Sequence, residues 1–380
     1  MDNHKPKIFF VATVEFAVNA FLLSHLQRLS CFYDLTVITN TSDPIFLIKK
    51  GVNVKVIPLK ISRHISLASD LFCLLYLIYL FLKNRPMAVH SITPKSGLLA
   101  MLAAFLTRIP LRVHSFTGQI WVNDSGIRRY FLKTVDFLIG KLTTINMIDS
   151  PSQKDFLVKQ NVLYEKKSIV FGSGSVSGVN IKRFLPNVDI FNEVRFELSI
   201  PRDAFVFIYL GRLNKSKGIL DLAEAFSRIN NNLAYMLIVG PDEGSFREQV
   251  KSLNQAHLFR LRFIDLTLEP ERYLAASNAL CLPSYREGFG NVVIEAAATG
   301  LPAIASNIYG ISDAILNQET GLLHKVGDIE DIVCCLERFL NNPQEVARYS
   351  YAARSRVLDK FNSDMLTEYW LNFYRCHLSI

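Results

Sequence analysis

Thirteen short runs of β-branched, aromatic and aliphatic residues recur along this 380-residue chain, each parted from the next by a segment of helical length. In the first half they are KIFFVATV (7–14), DLTVIT (34–39), VKVIPL (54–59), AVHSI (88–92), LRVHSF (111–116), TTINMI (143–148) and SIVFG (168–172). They are apolar throughout rather than alternating, the pattern of strands covered on both faces. Strand–helix alternation of this kind builds a doubly wound parallel sheet. A polar break at 182–203, with two prolines, interrupts the pattern. It then restarts with AFVFIYLG (204–211), YMLIVG (235–240), LRFIDL (261–266), ALCLPS (279–284), LPAIAS (301–306) and GLLHKV (321–326). From about 328 only helix is expected. The fold class is therefore α/β, with two Rossmann-like domains, 1–188 and 189–362, facing across a cleft. A chain this long exceeds what one hydrophobic core usually supports, which agrees with two domains.

The most apolar stretch, LFCLLYLIYLFL (71–82), lies between Asp70 and Lys83 and falls short of the roughly 18–20 apolar residues that cross a bilayer. It reads as a helix buried against a sheet, with a membrane-touching surface as the alternative. The first residues lack the pattern of a signal peptide, so a cytoplasmic location is expected. Charge is uneven. Residues 1–190 carry 23 Lys and Arg against 11 Asp and Glu, net +12, whereas 191–380 carry 19 against 23, net −4. Such a first half suits an anionic surface. No nucleic-acid-binding module accompanies it, so the inner face of the cytoplasmic membrane is the expected partner, beside the reading of an ordinary basic surface. Six cysteines without CxxC spacing are expected to be reduced, and no HExxH or strand-following Asp-x-Asp holds a metal.

Three strand ends in the second half carry groups suited to one ligand. In YLGRLNKSKG (209–218) a strand ends at Gly211, and Arg212 and Lys217 follow before a helix. A guanidinium and an ammonium beside a helix start suit a diphosphate, or else the loop is simply basic and solvated. In LIVGPDEG (237–244), Gly240 closes a strand and would let a ring or ribose approach the backbone. In EGFGNVVIE (287–295), Glu287 stands on a loop with Gly288, Phe289 and Gly290, Asn291 is a candidate helix cap, Val292 opens the helix, and Glu295 falls on its second turn. Amide groups at the helix start can hold a phosphate while carboxylates on either side accept hydroxyl protons. The other reading leaves Glu295 complementing the helix dipole and Glu287 on the surface. Taken together, the segments describe a ligand with phosphate at its centre and polyols at both ends, which is the form of a nucleotide sugar.

Glu287 and Glu295 resemble the E-x7-E signature of retaining glycosyltransferases of family 4, which have the GT-B fold. GRLNKSKG resembles that family's phosphate loop, and the segments 301–315 and 320–328 resemble those that follow the signature. The resemblance covers roughly 200–380. It implies that Glu287 lies near the donor sugar's hydroxyls, Glu295 holds the ribose, and Arg212 and Lys217 hold the diphosphate. Backbone at Gly211, Gly240, Gly288, Phe289, Gly290, Asn291 and Val292 completes the donor site. It also implies a last helix, 363–380, returning to the first domain, and catalysis by Glu287, Arg212, Lys217 and Thr117 with no cofactor or metal. The first half resembles transferases that extend lipid-linked oligosaccharides for bacterial surface polysaccharides, on VHSITPKSGLLAMLAA (89–104), RVHSFTGQIW (112–121), DSPSQKDFL (149–157) and GSGSVSGVNIKRF (172–184). That implies a donor such as a UDP-sugar and a lipid-linked saccharide acceptor. Two departures stand out. The loop after the first strand, ATVEFAVNAF (12–21), has no glycine, and Thr117 stands where many members carry a T-x-H-G histidine, with His114 nearby. Thr117, Gly118 and Gln119, with Lys95 and Ser96, are the candidates on the acceptor and sugar side. A nucleotide-sugar epimerase on the same plan and an inactive membrane-bound scaffold are the competing readings. A dinucleotide oxidoreductase lacks its GxGxxG here.

Overall fold

A computed structural model describes residues 5–62 and 66–378. It divides into two units, Met1–Ser177 with Ser363–Ile380, and Gly178–Asn362. The first holds a seven-stranded sheet in the order β3-β2-β1-β4-β5-β6-β7. Its strands are β1 (Lys7–Val14), β2 (Asp34–Asn40), β3 (Lys55–Pro58), β4 (Ala88–Ile92), β5 (Leu111–Phe116), β6 (Ile145–Ile148) and β7 (Ser168–Ile169). The second holds six, in the order β10-β9-β8-β11-β12-β13. These are β8 (Phe205–Leu210), β9 (Ala234–Val239), β10 (Leu261–Ile264), β11 (Ala279–Leu282), β12 (Ala303–Ser306) and β13 (Gly321–His324). Every pairing is parallel. Each expected strand is present, and the expected fold is found.

The continuous apolar strands have a simple cause. Ile8, Phe10 and Ala12 of β1 enter a core cluster on one face of the first sheet, while Phe9 and Val11 enter another on the opposite face. Val206 and Ile208 of β8 are likewise separated from Phe207 and Tyr209. Both faces of both sheets are buried, so apolar residues fill both parities and the polar ones among them, such as His90 and His114, are hydrogen-bonded. The chain passes between units at Ser177–Gly178, ahead of the expected 188/189, because Val179 and Phe184 are buried in the core of the second unit.

The helix Ser363–Leu378 belongs to the first unit. Trp370 lies flat between two buried histidines, with ring centroids 4.5 Å from His25 and 4.8 Å from His90. His25 bonds the Thr367 hydroxyl at 2.8 Å and the Val176 carbonyl at 2.8 Å. His90 bonds the Tyr374 hydroxyl and Ser115 Oγ, each at 2.7 Å. Both rings reach polar partners on either side, so burial leaves neither nitrogen unsatisfied. His114 is buried too, bonded to Ser91 Oγ at 2.8 Å; a Cβ on Gly97 would stand 2.4 Å from its ring.

Burial holds these imidazoles neutral. It pushes His25 down to about 4, His114 down to about 3, and His90 well below the ordinary value of 6.5. Asp136 is the opposing case, raised by burial to about 7 although the Trp121 indole N–H bonds it. Between pH 6.5 and 4 the unfolded chain takes up three histidine protons that the fold refuses, while the fold retains one Asp136 proton that the unfolded chain releases. The first unit is therefore expected to lose about 2–3 kcal/mol of stability per pH unit as pH falls through that window. Both tryptophans of the chain, Trp121 and Trp370, lie in this unit, so urea unfolding followed by their fluorescence at pH 7.5 and 5 measures it. Equal midpoints at the two pH values would contradict the neutral stack.

Candidate active site

In the second sheet the winding reverses between β8 and β11, which are direct neighbours. Helices leaving adjacent strands in opposite directions open a crevice at the strand ends, and ligands of doubly wound sheets bind there. The loops that follow these two strands are the two motif loops, 211–218 and 283–290. Backbone contact joins them. Tyr285 N–H donates to Ser216 O at 3.0 Å, and a Cβ on Gly218, at φ 67°, would fall 2.0 Å from the Pro283 carbonyl oxygen. Only glycine permits this approach.

The candidate residues meet in this crevice. Lys217 Nζ lies 2.5 Å from Glu287 Oε1, and the half-buried pair is reinforced by Ser284 Oγ donating to the same oxygen at 2.8 Å. Asn214 caps the short turn of Lys215–Lys217, its side-chain oxygen accepting from Lys217 N–H at 3.1 Å. Arg212 is more exposed; its guanidinium pairs with Glu243 at 3.0 Å, and Asn214 Nδ2 donates to the other oxygen of Glu243 at 2.7 Å. Both cations thus rest on carboxylates that an anionic ligand can displace. Gly240 has another role than the one expected. Its φ of 143° brings it against Gly211, whose carbonyl oxygen would stand 2.0 Å from a Cβ, so the glycine serves backbone packing between the ends of β8 and β9.

The helix after β11 runs Asn291–Ala298. Its cap is Gly290, in the left-handed region, rather than the expected Asn291, which is the first helical residue. A glycine cap brings no side-chain acceptor of its own to this helix start, whose backbone N–H groups and dipole suit an anion. Phe289 is buried with its ring 5.2 Å from Phe361, so its side chain anchors the loop and only its backbone can face a ligand. Val292 packs half-buried against the same core. Glu295, half-buried on the second turn, makes no side-chain hydrogen bond or ion pair among the described residues. Burial raises its carboxyl to about 7, Arg183 opposes that, and Glu271 adds to it. Arg183 is itself bound to Glu271 at 2.7 Å and to the Leu268 carbonyl at 2.5 Å. Glu243, Ser284 and Arg183 were not singled out in the sequence. An acid one strand-end loop away from Arg212 was the available signal for Glu243, whereas Arg183 sits in what reads as a linker.

In the first unit, Thr117 and Gly118 follow β5 half-buried, with Gly118 at φ 115°. Gln119 is buried, its carbonyl accepting from Gln153 at 3.1 Å. Two residues further on, Trp121 fixes the loop to Asp136 at 2.7 Å. Lys95 is paired with Asp70 at 2.7 Å, and Ser96 is fully buried, bonded to the Ile92 carbonyl and to Thr93 Oγ1. Thr93 also bonds Thr13 Oγ1 at 2.6 Å, so hydroxyls close the β1–β4 switch point where a glycine loop was missing. His114 lies beneath Gly97 with its ring engaged, and Thr117 alone stands at the site of the absent histidine. Among the described residues, no group of three or more His, Cys, Asp or Glu is placed to hold a metal ion.

A family model described as glycosyl transferases group 1 matches residues 190–356. The capsular polysaccharide biosynthesis glycosyltransferase CapM of Staphylococcus aureus is 32% identical over 331 residues, 85% of this chain and 85% of its own. The UDP-Gal:alpha-D-GlcNAc-diphosphoundecaprenol alpha-1,3-galactosyltransferase of Escherichia coli is 28% identical over 359 residues, 90% of this chain and 91% of its own. The crystal structure of Anabaena HepE in complex with UDP shares the fold with a TM-score of 0.81 at 16% identity, over 97% of this chain and 100% of that one. The fold is GT-B, and with identity of this order along most of both sequences the chain belongs to the group 1 glycosyl transferases.

Proposed function

We propose that this chain is a retaining, family 4 type glycosyltransferase that moves a hexosyl or N-acetylhexosaminyl group from a UDP-sugar to a lipid-linked saccharide in bacterial polysaccharide or lipopolysaccharide assembly. It would work on the inner face of the cytoplasmic membrane. The observation that carries this reading is the Lys217–Glu287 pair at the switch point, beside a glycine-capped helix whose Glu295 has its carboxylate unbonded. The E. coli relative's name specifies a UDP-linked donor and a lipid diphosphate acceptor, and the S. aureus relative's specifies capsular polysaccharide, which supports the choice of substrates.

In this scheme the donor's diphosphate takes Lys217 from Glu287 and Arg212 from Glu243, and it accepts amides at 290–292. Glu287, released from the lysine, accepts hydroxyls of the donor sugar, and Glu295 accepts those of the ribose. The bond from the anomeric carbon to the diphosphate oxygen breaks with its electron pair passing to the diphosphate. The two cations and the helix start neutralise that charge where it develops. The acceptor oxygen then bonds to the same face of the sugar, and its proton passes to the departing phosphate oxygen, so no protein nucleophile is needed.

Arg212→Ala and Lys217→Ala are each expected to lower turnover by about 10²–10³-fold, the range for a lost transition-state donor, in steady-state assays of sugar transfer. Near-normal turnover in both would contradict the scheme, whereas persistence of activity in EDTA agrees with it. Glu295 supplies a separate test. Ionised above about 7, it accepts ribose hydroxyls as a charged acceptor; protonated below, it keeps only a weaker, neutral one. UDP affinity measured by calorimetry is expected to rise between pH 6 and 8. Glu295→Gln should bind about 10–100-fold more weakly at pH 8 and lose that part of the pH dependence, because a hydrogen bond to a charged group is replaced by a neutral one. An unaltered profile in the variant would remove Glu295 from the site.

A further inference from the structure

The helix Leu67–Asn84 is long and apolar enough to cross a membrane by composition, but its placement forbids it. Cys73, Leu77, Leu80 and Phe81 form an inner stripe buried on the first sheet, where Phe81 meets Phe9 of β1 edge-on at 6.0 Å. The opposite stripe is Leu67, Leu71, Phe72, Leu75, Tyr79 and Leu82, all exposed, with Leu67 at 84% and Phe72 at 64%. An outward helical face normally carries the polar residues, and contiguous exposed apolar surface marks a binding surface. The sequence suggested burial against a sheet; only one side of this helix is buried.

The helices Leu67–Asn84, Pro94–Leu106 and Gly126–Leu142 pack side by side in that order. The last continues the apolar surface with Ile127 at 88%, Tyr130 at 73%, and exposed Phe131 and Leu138. Charge around them has one sign. Residues 60–142 hold eleven Lys and Arg against three Asp and no Glu. Each acid is occupied within the fold, Asp70 by Lys95, Asp124 by Arg128, and Asp136 by Trp121. Lys83, Arg85, Arg108 and Lys141 are exposed.

We infer that the outer faces of the Leu67–Asn84 and Gly126–Leu142 helices lie in the headgroup layer of an anionic phospholipid bilayer. The inference rests, for its purpose, on the reading of a lipid-linked acceptor. The apolar side chains enter the acyl boundary, the basic rim meets lipid phosphates, and the sheet behind keeps the helix flat. Two copies of so basic a face would repel, which selects lipid over self-association. Both helices follow strands of a parallel sheet and so begin at the strand-end edge, where the Thr117–Gln119 loop also stands. An acceptor whose tail stays in the bilayer would present its sugar at that edge.

Flotation of the purified protein with vesicles tests this, using phosphatidylcholine alone and phosphatidylcholine with phosphatidylglycerol. Binding is expected with the anionic vesicles, weaker by about tenfold without phosphatidylglycerol and likewise when salt is raised. Leu71→Glu/Leu75→Glu should lower binding by about tenfold or more, with its tryptophan-monitored unfolding and its UDP affinity unchanged. Lys83→Glu/Lys141→Glu should remove the preference for anionic lipid. Wild-type binding by the leucine variant would overturn the inference. So would a lipid-free dimer that the leucine variant dissociates, since a second copy would then cover the face. If the wild type binds vesicles but not UDP, the surface stands and the proposed reaction fails.

Discussion

A lysine and a glutamate, brought from two strand ends that follow each other in the sheet but lie 70 residues apart in sequence, form the ion pair on which the second unit's site depends. The pair exists because β8 and β11 are neighbours at the point where the winding reverses, and because Gly218 lets the backbone of one loop rest on Pro283 of the other. It also stores the site's charge in a usable form. A free lysine would be solvated and mobile, and a free glutamate beside a helix start would compete with any incoming phosphate. Paired, each is held in place and exchangeable. Arg212 and Glu243 repeat the arrangement nearer to solvent. The more exposed Arg212–Glu243 pair adds little stability, so its displacement by a diphosphate costs little.

The fold was legible because both faces of both sheets are buried. That condition puts apolar residues at both parities of the strands, and Ile8 through Ala12 show it within five residues, alternate side chains entering opposite cores. The donor-side loops were legible because they join glycine to charge at strand ends. What stayed hidden depended on contacts between distant segments. Asn291 has the chemistry of a cap, yet the cap is Gly290, whose left-handed φ of 79° glycine adopts without strain. Gly240 reads as space for a ligand and instead admits the Gly211 carbonyl. Ser96 reads as a hydroxyl at a strand end and is spent on Ile92 and Thr93. Periodicity could place the Leu67–Asn84 helix but not tell that its outer stripe has no partner among the described residues of its own unit.

The first unit uses its switch point differently. Thr13, Thr93 and Ser96 link the ends of β1 and β4 by hydroxyl contacts, whereas the second unit keeps its own crevice lined with ions. The loop Thr117–Gln119 is held from behind by Gln153 and by the Trp121–Asp136 bond, so its position depends on two helices rather than on a ligand. One of these helices, Gly126–Leu142, also carries part of the basic, apolar exterior. A unit that is stitched at its crevice and greasy outside suits an acceptor arriving from a membrane better than a second nucleotide.

The central claim is that the crevice between β8 and β11 grips a pyrophosphate between two polyols. A crystal structure of the protein soaked with UDP measures it most directly. The account predicts the diphosphate against Lys217, Arg212 and the amides at 290–292, with the ribose hydroxyls on Glu295. A nucleotide bound at any other place, with Lys217 still on Glu287, would contradict it.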